Sequence, residues 1–82
     1  MMHNQEIQVY LSDALDQEAC KKTLTEALQS RVTTLQQQQV SDTVIIDALE
    51  NLSEDAYQLN DDVILDVIEW ILIRAMTTQP KY

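Results

Sequence analysis

An all-α fold is what this sequence predicts, on three observations. The 82 residues contain no glycine and one proline, Pro80, so the two-residue turns that join neighbouring strands have nothing to build them. Apolar residues recur at three- and four-residue steps, the period of one face of a helix. The chain is also too short for more than one domain. The expected architecture over residues 1–82 is therefore a three-helix subunit. Its N-terminal segment is either a short extra helix or an arm.

Residues 1–15 hold that segment, with Ile7, Val9, Tyr10, Leu11, Ala14 and Leu15 between Gln5 and Leu15. Asp16 is the expected N-cap of a first helix over 16–39. Its stripe comprises Cys20, Leu24, Ala27, Leu28, Val32 and Leu35. The β-branched run Val32-Thr33-Thr34 weakens its last turns. Gln36 to Gln39 then reads as a polar extension or a frayed linker. Ser41 is the cap expected for a second helix over 41–53, with Asp42 complementing the dipole of its first turn. Val44, Ile45, Ala48, Leu49 and Leu52 form its stripe. Residues 53–59 fit either a continuing helix or a loop. Asn60 is the expected cap of a third helix over 60–78, with Asp61 and Asp62 in its first turn and Pro80 beyond its end.

That last helix is the most informative element. Eleven of the fourteen residues from Val63 to Met76 are apolar. At 100° per residue, Asp62, Asp66 and Glu69 cluster within about 60° of arc, and apolar side chains cover roughly 240° of the remainder. A helix facing one core needs an apolar stripe of only about 100° or somewhat more. Leaving Leu65, Trp70, Ile73 and Met76 wet would forgo about 1.5–3 kcal/mol each. A second chain is expected to cover them. The expected dimer or partner surface comprises Ile64, Leu65, Ile68, Trp70, Ile71, Leu72, Ile73 and Met76. Oligomerisation also suits a chain of this length with one cysteine, which excludes an internal disulfide.

The formal charge is −9, and nine acids with no base lie between Ser41 and Ile73. Such a field repels phosphate backbones and favours basic partners. Asp47, Glu50, Glu54, Asp62, Asp66 and Glu69 are the expected acidic partner face. Lys21, Lys22 and Arg31 make a weak nucleic-acid footprint and are expected on a solvated face. Arg74, alone among cations in the last helix, is expected to reach a carboxylate of another helix or chain.

Catalytic chemistry has little to stand on. Asp62, Asp66 and Glu69 share a face, but a carboxylate metal centre in a bundle needs inward acids and usually a Glu-x-x-His pair. Cys20 and His3 are the one available Cys–His pair, with His3 in the expected tail and Cys20 expected as a buried structural thiol. Phosphate cradles need glycine. No enzyme, cofactor or metal is expected. The first fifteen residues hold no Lys, Arg or continuous apolar run, and Val63 to Met76 is short for a membrane span. A reducing cytoplasm is the expected compartment.

Val44-Ile45-Ile46 followed by Leu49 and Leu52, a short acidic and polar connection, then Leu59, Asp62-Val63-Ile64, Glu69 and Leu72 resembles the YmgB/AriR family. These are small enterobacterial regulators of biofilm formation and acid resistance, with a helical fold similar to Hha. The likeness runs from Val44 to Leu72. It implies a homodimer of three-helix subunits that acts as a connector in a sensor-kinase phosphorelay, with the apolar positions serving the core and dimer surface. It brings no catalytic residue. DNA binding has also been proposed within the family, and the acidic second half of this chain opposes it. The expected function is thus non-enzymatic regulation through protein contacts. The rival is an acidic immunity protein or inhibitor that blocks a basic nuclease or DNA-binding protein, and a direct DNA-binding regulator ranks third.

Overall fold

Ile7, Leu11 and Ala14 recur at four- and three-residue steps, and this stripe folds the N-terminal segment onto the rest of its own chain. A computed structural model describes residues 4–77, with side chains through residue 75. The described residues form four helices and no strand, three of them the expected subunit and the fourth the short extra helix left open for the N-terminal segment: α1 Asn4–Asp13, α2 Lys21–Gln37, α3 Asp42–Gln58 and α4 Asp62–Thr77. The N-terminal segment is the extra one. Ile7, Leu11 and Ala14 are almost completely buried, and α1 packs chiefly against α3.

The first expected boundary is wrong, for a physical reason. Asp16 does not cap α2, which starts at Lys21 behind an extended Cys20. Ala14 and Leu15 instead prolong α1 with tight turns, donating their N–H groups to Leu11 O at 3.2 Å and Ser12 O at 2.9 Å. Burial of Ala14 holds the chain down there, so the good capping residue is spent inside a connection across the end of the bundle. Gln17 Nε2 closes that connection on Ala14 O at 2.8 Å.

The polyglutamine run also resolves. Gln36 and Gln37 finish α2, and Gln39 takes a left-handed conformation at φ 65°. Val40 N–H then reaches back to Leu35 O at 3.0 Å, the six-to-one bond of a Schellman ending. Asn60 does the same for α3, not the expected capping of α4. It sits at φ 57°, and Asp61 N–H reaches Ala56 O at 3.0 Å. Asparagine tolerates the left-handed region better than most residues, so a glycine-free chain uses it to stop a helix. The stop comes late: 53–58 continue α3, because Leu52 and Ala56 extend its buried stripe. Asp61 is the cap of α4, with Oδ1 accepting the Ile64 N–H at 3.2 Å. Ser41 caps α3 as expected, accepting the Thr43 N–H at 3.3 Å.

The core gathers Leu24, Leu28, Val32 and Leu35 from α2 with Ile45, Ala48, Leu49, Leu52 and Ala56 from α3 and Val67, Ile68 and Ile71 from α4. Three connecting residues bring α4 back along α3, its largest contact. Helices α2 and α4 run in the same direction, since Lys21 meets Asp66 near their starts and Val32 and Gln36 lie beside Ile71 and Ala75 towards their ends.

Arg31 is not on a solvated face. Its Nη1 donates to Tyr10 O at 2.8 Å and approaches Asp13 Oδ2 at 3.4 Å, and its guanidinium lies 4.6 Å from the Tyr10 ring centroid. One side chain thus ties α1 to α2. Replacing Arg31 with methionine keeps the packing stem and removes the donors, for a loss of about 1–1.5 kcal/mol. The amides of α1 should exchange roughly tenfold faster while those of α3 and α4 keep their protection, as read by hydrogen exchange.

Candidate association surfaces

Two surfaces expose apolar side chains beside charge, and they differ in the sign of that charge. The first lies along α4. Val63, Trp70 and Ile73 fall within about 80° of one another at 100° per residue, and their exposures are 48%, 47% and 61%. Lys21, Lys22, Thr25 and Glu26 of α2, with Asp66 and Glu69 of α4, flank its Trp70 and Ile73. Lys21 Nζ pairs with Asp66 Oδ2. Both side chains are more than half exposed, so the pair contributes 0–1 kcal/mol at most and mainly sets orientation. The Arg74 guanidinium lies 4.7 Å from the Trp70 ring centroid, a cation–π contact between residues four apart.

The expected interface therefore divides. Ile68 and Ile71, at 0% and 1% exposure, belong to the core of the protomer and leave the interface. Burial against α2 and α3 consumes the centre of the apolar arc. Ile64, Leu65 and Leu72 pack partly on that core, so Leu65 is not the wet residue the arc suggested. Trp70 and Ile73 stay exposed, and the side chain of Met76 lies outside the described residues. Val63 joins them. Its position seven residues before Trp70 was the signal, two helical turns along the same face.

The second surface is a groove where the C-terminal ends of α1 and α3 meet the start of α4. Buried Leu52, Ala56 and Ile68 and half-buried Leu15 and Ile64 line it. Val9 at 62% and Leu59 at 78% exposure stand along it. Asp13, Asp16, Asp55 and Asp61 rim it, and no basic residue does. None of these four belongs to the expected acidic face. Asp47, Glu50, Glu54, Asp62, Asp66 and Glu69 are all exposed as expected, and of these Asp66 and Glu69 line the α4 strip while none lines the groove. The missed signal was acids bracketing an apolar turn: Asp13 and Asp16 around Leu15, Asp55 and Asp61 around Leu59.

No known protein family, characterised protein or solved structure matches this chain. Its surfaces must speak for it.

Among the described residues, no group of three His, Cys, Asp or Glu side chains is placed to hold a metal ion, and no helix is long and apolar enough to cross a membrane. His3 lies outside the described residues. Cys20 is exposed, not the buried thiol expected, because α2 starts there with its capping residue turned to solvent. Its Sγ lies 3.3 Å from Thr23 Oγ1. That side-chain contact, then the Thr23 backbone amide, hold the thiol below its ordinary value against the opposing effect of desolvation. More thiolate is therefore present near neutrality than for a free cysteine. The midpoint of the pH–rate profile for iodoacetamide alkylation should lie below that of a free cysteine, and Thr23→Val should move it upward.

Proposed function

We propose that this protein is a non-enzymatic regulator that works through protein contacts as a homodimer, paired along the α4 strip of Val63, Trp70 and Ile73. The observation that carries the reading is the exposure of Val63, Trp70 and Ile73 on a helix whose other described large apolar residues are buried or packed on the core. Tryptophan is the residue most enriched at binding hot spots, and a half-covered one beside isoleucine is a ready anchor. The charges around it favour a second copy as occupant. A two-fold contact places the same patch on both sides, so it must complement itself. The strip does, since Lys22 stands beside Glu26 and Glu69, with Lys21 already paired to Asp66. A second copy turned about a two-fold axis sets bases against acids with no foreign charge required.

The likeness of Val44 to Leu72 to the YmgB/AriR regulators supports the same reading and suggests a connector role in phosphorelay signalling linked to biofilm formation and acid resistance. The charge of −9 disfavours direct DNA binding. A lone exposed thiol suits a reducing cytoplasm. Sedimentation of the chain across a dilution series tests the pairing. A two-protomer species that dissociates on dilution while Trp70 emission shifts to the red supports it. A single-protomer species at every concentration overturns it.

A further inference from the structure

The strip on α4 carries both signs of charge, whereas the groove between α1, α3 and α4 carries one. We infer that this groove is a docking site for a basic amphipathic helix of another protein, with Leu59 and Val9 gripping its apolar stripe and Asp16, Asp55 and Asp61 meeting Lys or Arg on its flanks. The inference deepens the reading of a contact-based regulator by naming the partner's chemistry. It does not depend on pairing through α4.

Three observations carry it. The floor is apolar and preformed, because Leu52, Ala56 and Ile68 belong to the core and the groove needs no rearrangement to exist. Leu59 and Val9 are among the most exposed large apolar residues described, yet they stand along a concavity rather than scattered over a convex surface. An amphipathic helix laid in such a trough presents anchors at three- and four-residue steps. Finally, no base lines the groove, and of its four carboxylates Asp13 already has a basic partner, Arg31 at 3.4 Å, so Asp16, Asp55 and Asp61 select a cationic partner and reject an acidic one.

A second copy of this chain is a poor occupant. It has five basic residues. Arg31 is committed to Tyr10 and Asp13, Lys21 to Asp66, and Arg74 stacks on Trp70. No described helix of this chain carries an apolar stripe flanked by cations on both sides. The α4 strip carries Lys21 and Lys22 but also Glu26, Asp66 and Glu69, and with Lys21 paired to Asp66 it would bring net negative charge towards the acidic rim.

The test is a fluorescence-anisotropy titration of the full chain against a labelled peptide with leucines at helical steps and lysines on both flanks. A scrambled peptide of the same composition and one with glutamate in place of lysine serve as controls. The expected result is saturable binding of the first peptide alone, weakening as salt is raised. Leu59→Ser, at a side chain already in water, should weaken it at least tenfold, and so should Asp16→Asn combined with Asp55→Asn. Ile73→Asp should leave it unchanged, which separates the groove from the α4 strip. Equal binding of the scrambled peptide, or undiminished binding by Leu59→Ser, overturns the site. So does a loss of self-association in Leu59→Ser, which would mean that a second copy fills the groove. If the wild-type chain sediments as one protomer and still binds the peptide through Leu59, the α4 pairing fails and the groove stands.

Discussion

Ile68→Asp should abolish the cooperative thermal transition of this protein at neutral pH. Ile68 is completely buried on α4, within the single hydrophobic core and beneath the acid-rimmed groove. No basic residue lines that region to pair with a new carboxylate. An unpaired ionised group there costs several kcal/mol in desolvation, besides the lost burial of the isoleucine. Stability of about 0.05–0.15 kcal/mol per residue implies roughly 4–12 kcal/mol for a chain of this length, so one such cost removes most of it. Burial raises the folded-state pKa of the introduced carboxyl above its unfolded value. Its penalty is therefore absent below about pH 4 and grows as pH rises through the unfolded pKa. Circular dichroism melts should show the smallest deficit against wild type in acid and the largest at neutrality. A sigmoidal melt at pH 7 within a few degrees of wild type would mean that the buried face of α4 is misassigned.

The same helix shows how far the sequence could be read. Its periodicity identified it as a helix, and the stripes of α2 and α3 were equally legible, because Leu24, Leu28 and Val32 or Ile45, Leu49 and Leu52 leave little choice of buried face. Ser41 was legible as a cap because a cap is a local event. Asp16, Asn60 and Cys20 were not, because each depends on where the chain must go next. Burial of Ala14 pulls Asp16 into a connection, and the need for a left-handed residue after α3 takes Asn60 from α4. Apolar content also overstated the free surface of α4, since an arc on a helical wheel does not count its neighbours. With α2 on one side and α3 on the other, this helix is sheltered on two flanks. Among its described apolar residues, only Val63, Trp70 and Ile73 remain substantially wet. The acidic groove was illegible for the converse reason. Asp13 and Asp16 lie about forty residues before Asp55 and Asp61, and only docking of α1 against α3 brings them together.

Ile73→Asp is the counterpart of the first substitution: a carboxylate on the same helix, at a side chain 61% exposed and absent from the core. Folding should hardly notice it, because a charge already in water incurs no desolvation cost. Pairing along α4 should suffer greatly. A two-fold contact doubles every substitution, so two carboxylates enter an apolar strip already bordered by Asp66 and Glu69. Loss of one anchor with an added buried charge costs on the order of 2–4 kcal/mol of association, or roughly 30- to 1,000-fold in the dimer dissociation constant. Light scattering should report a single protomer for the variant at concentrations where wild type is paired. The melting temperature of wild type should fall with dilution towards that of the variant, and the variant's should stay constant. This dilution dependence separates lost association from lost folding, which Ile68→Asp would produce instead. A variant that keeps the wild-type mass, or melts far below fully diluted wild type, removes the α4 strip as the surface of self-association.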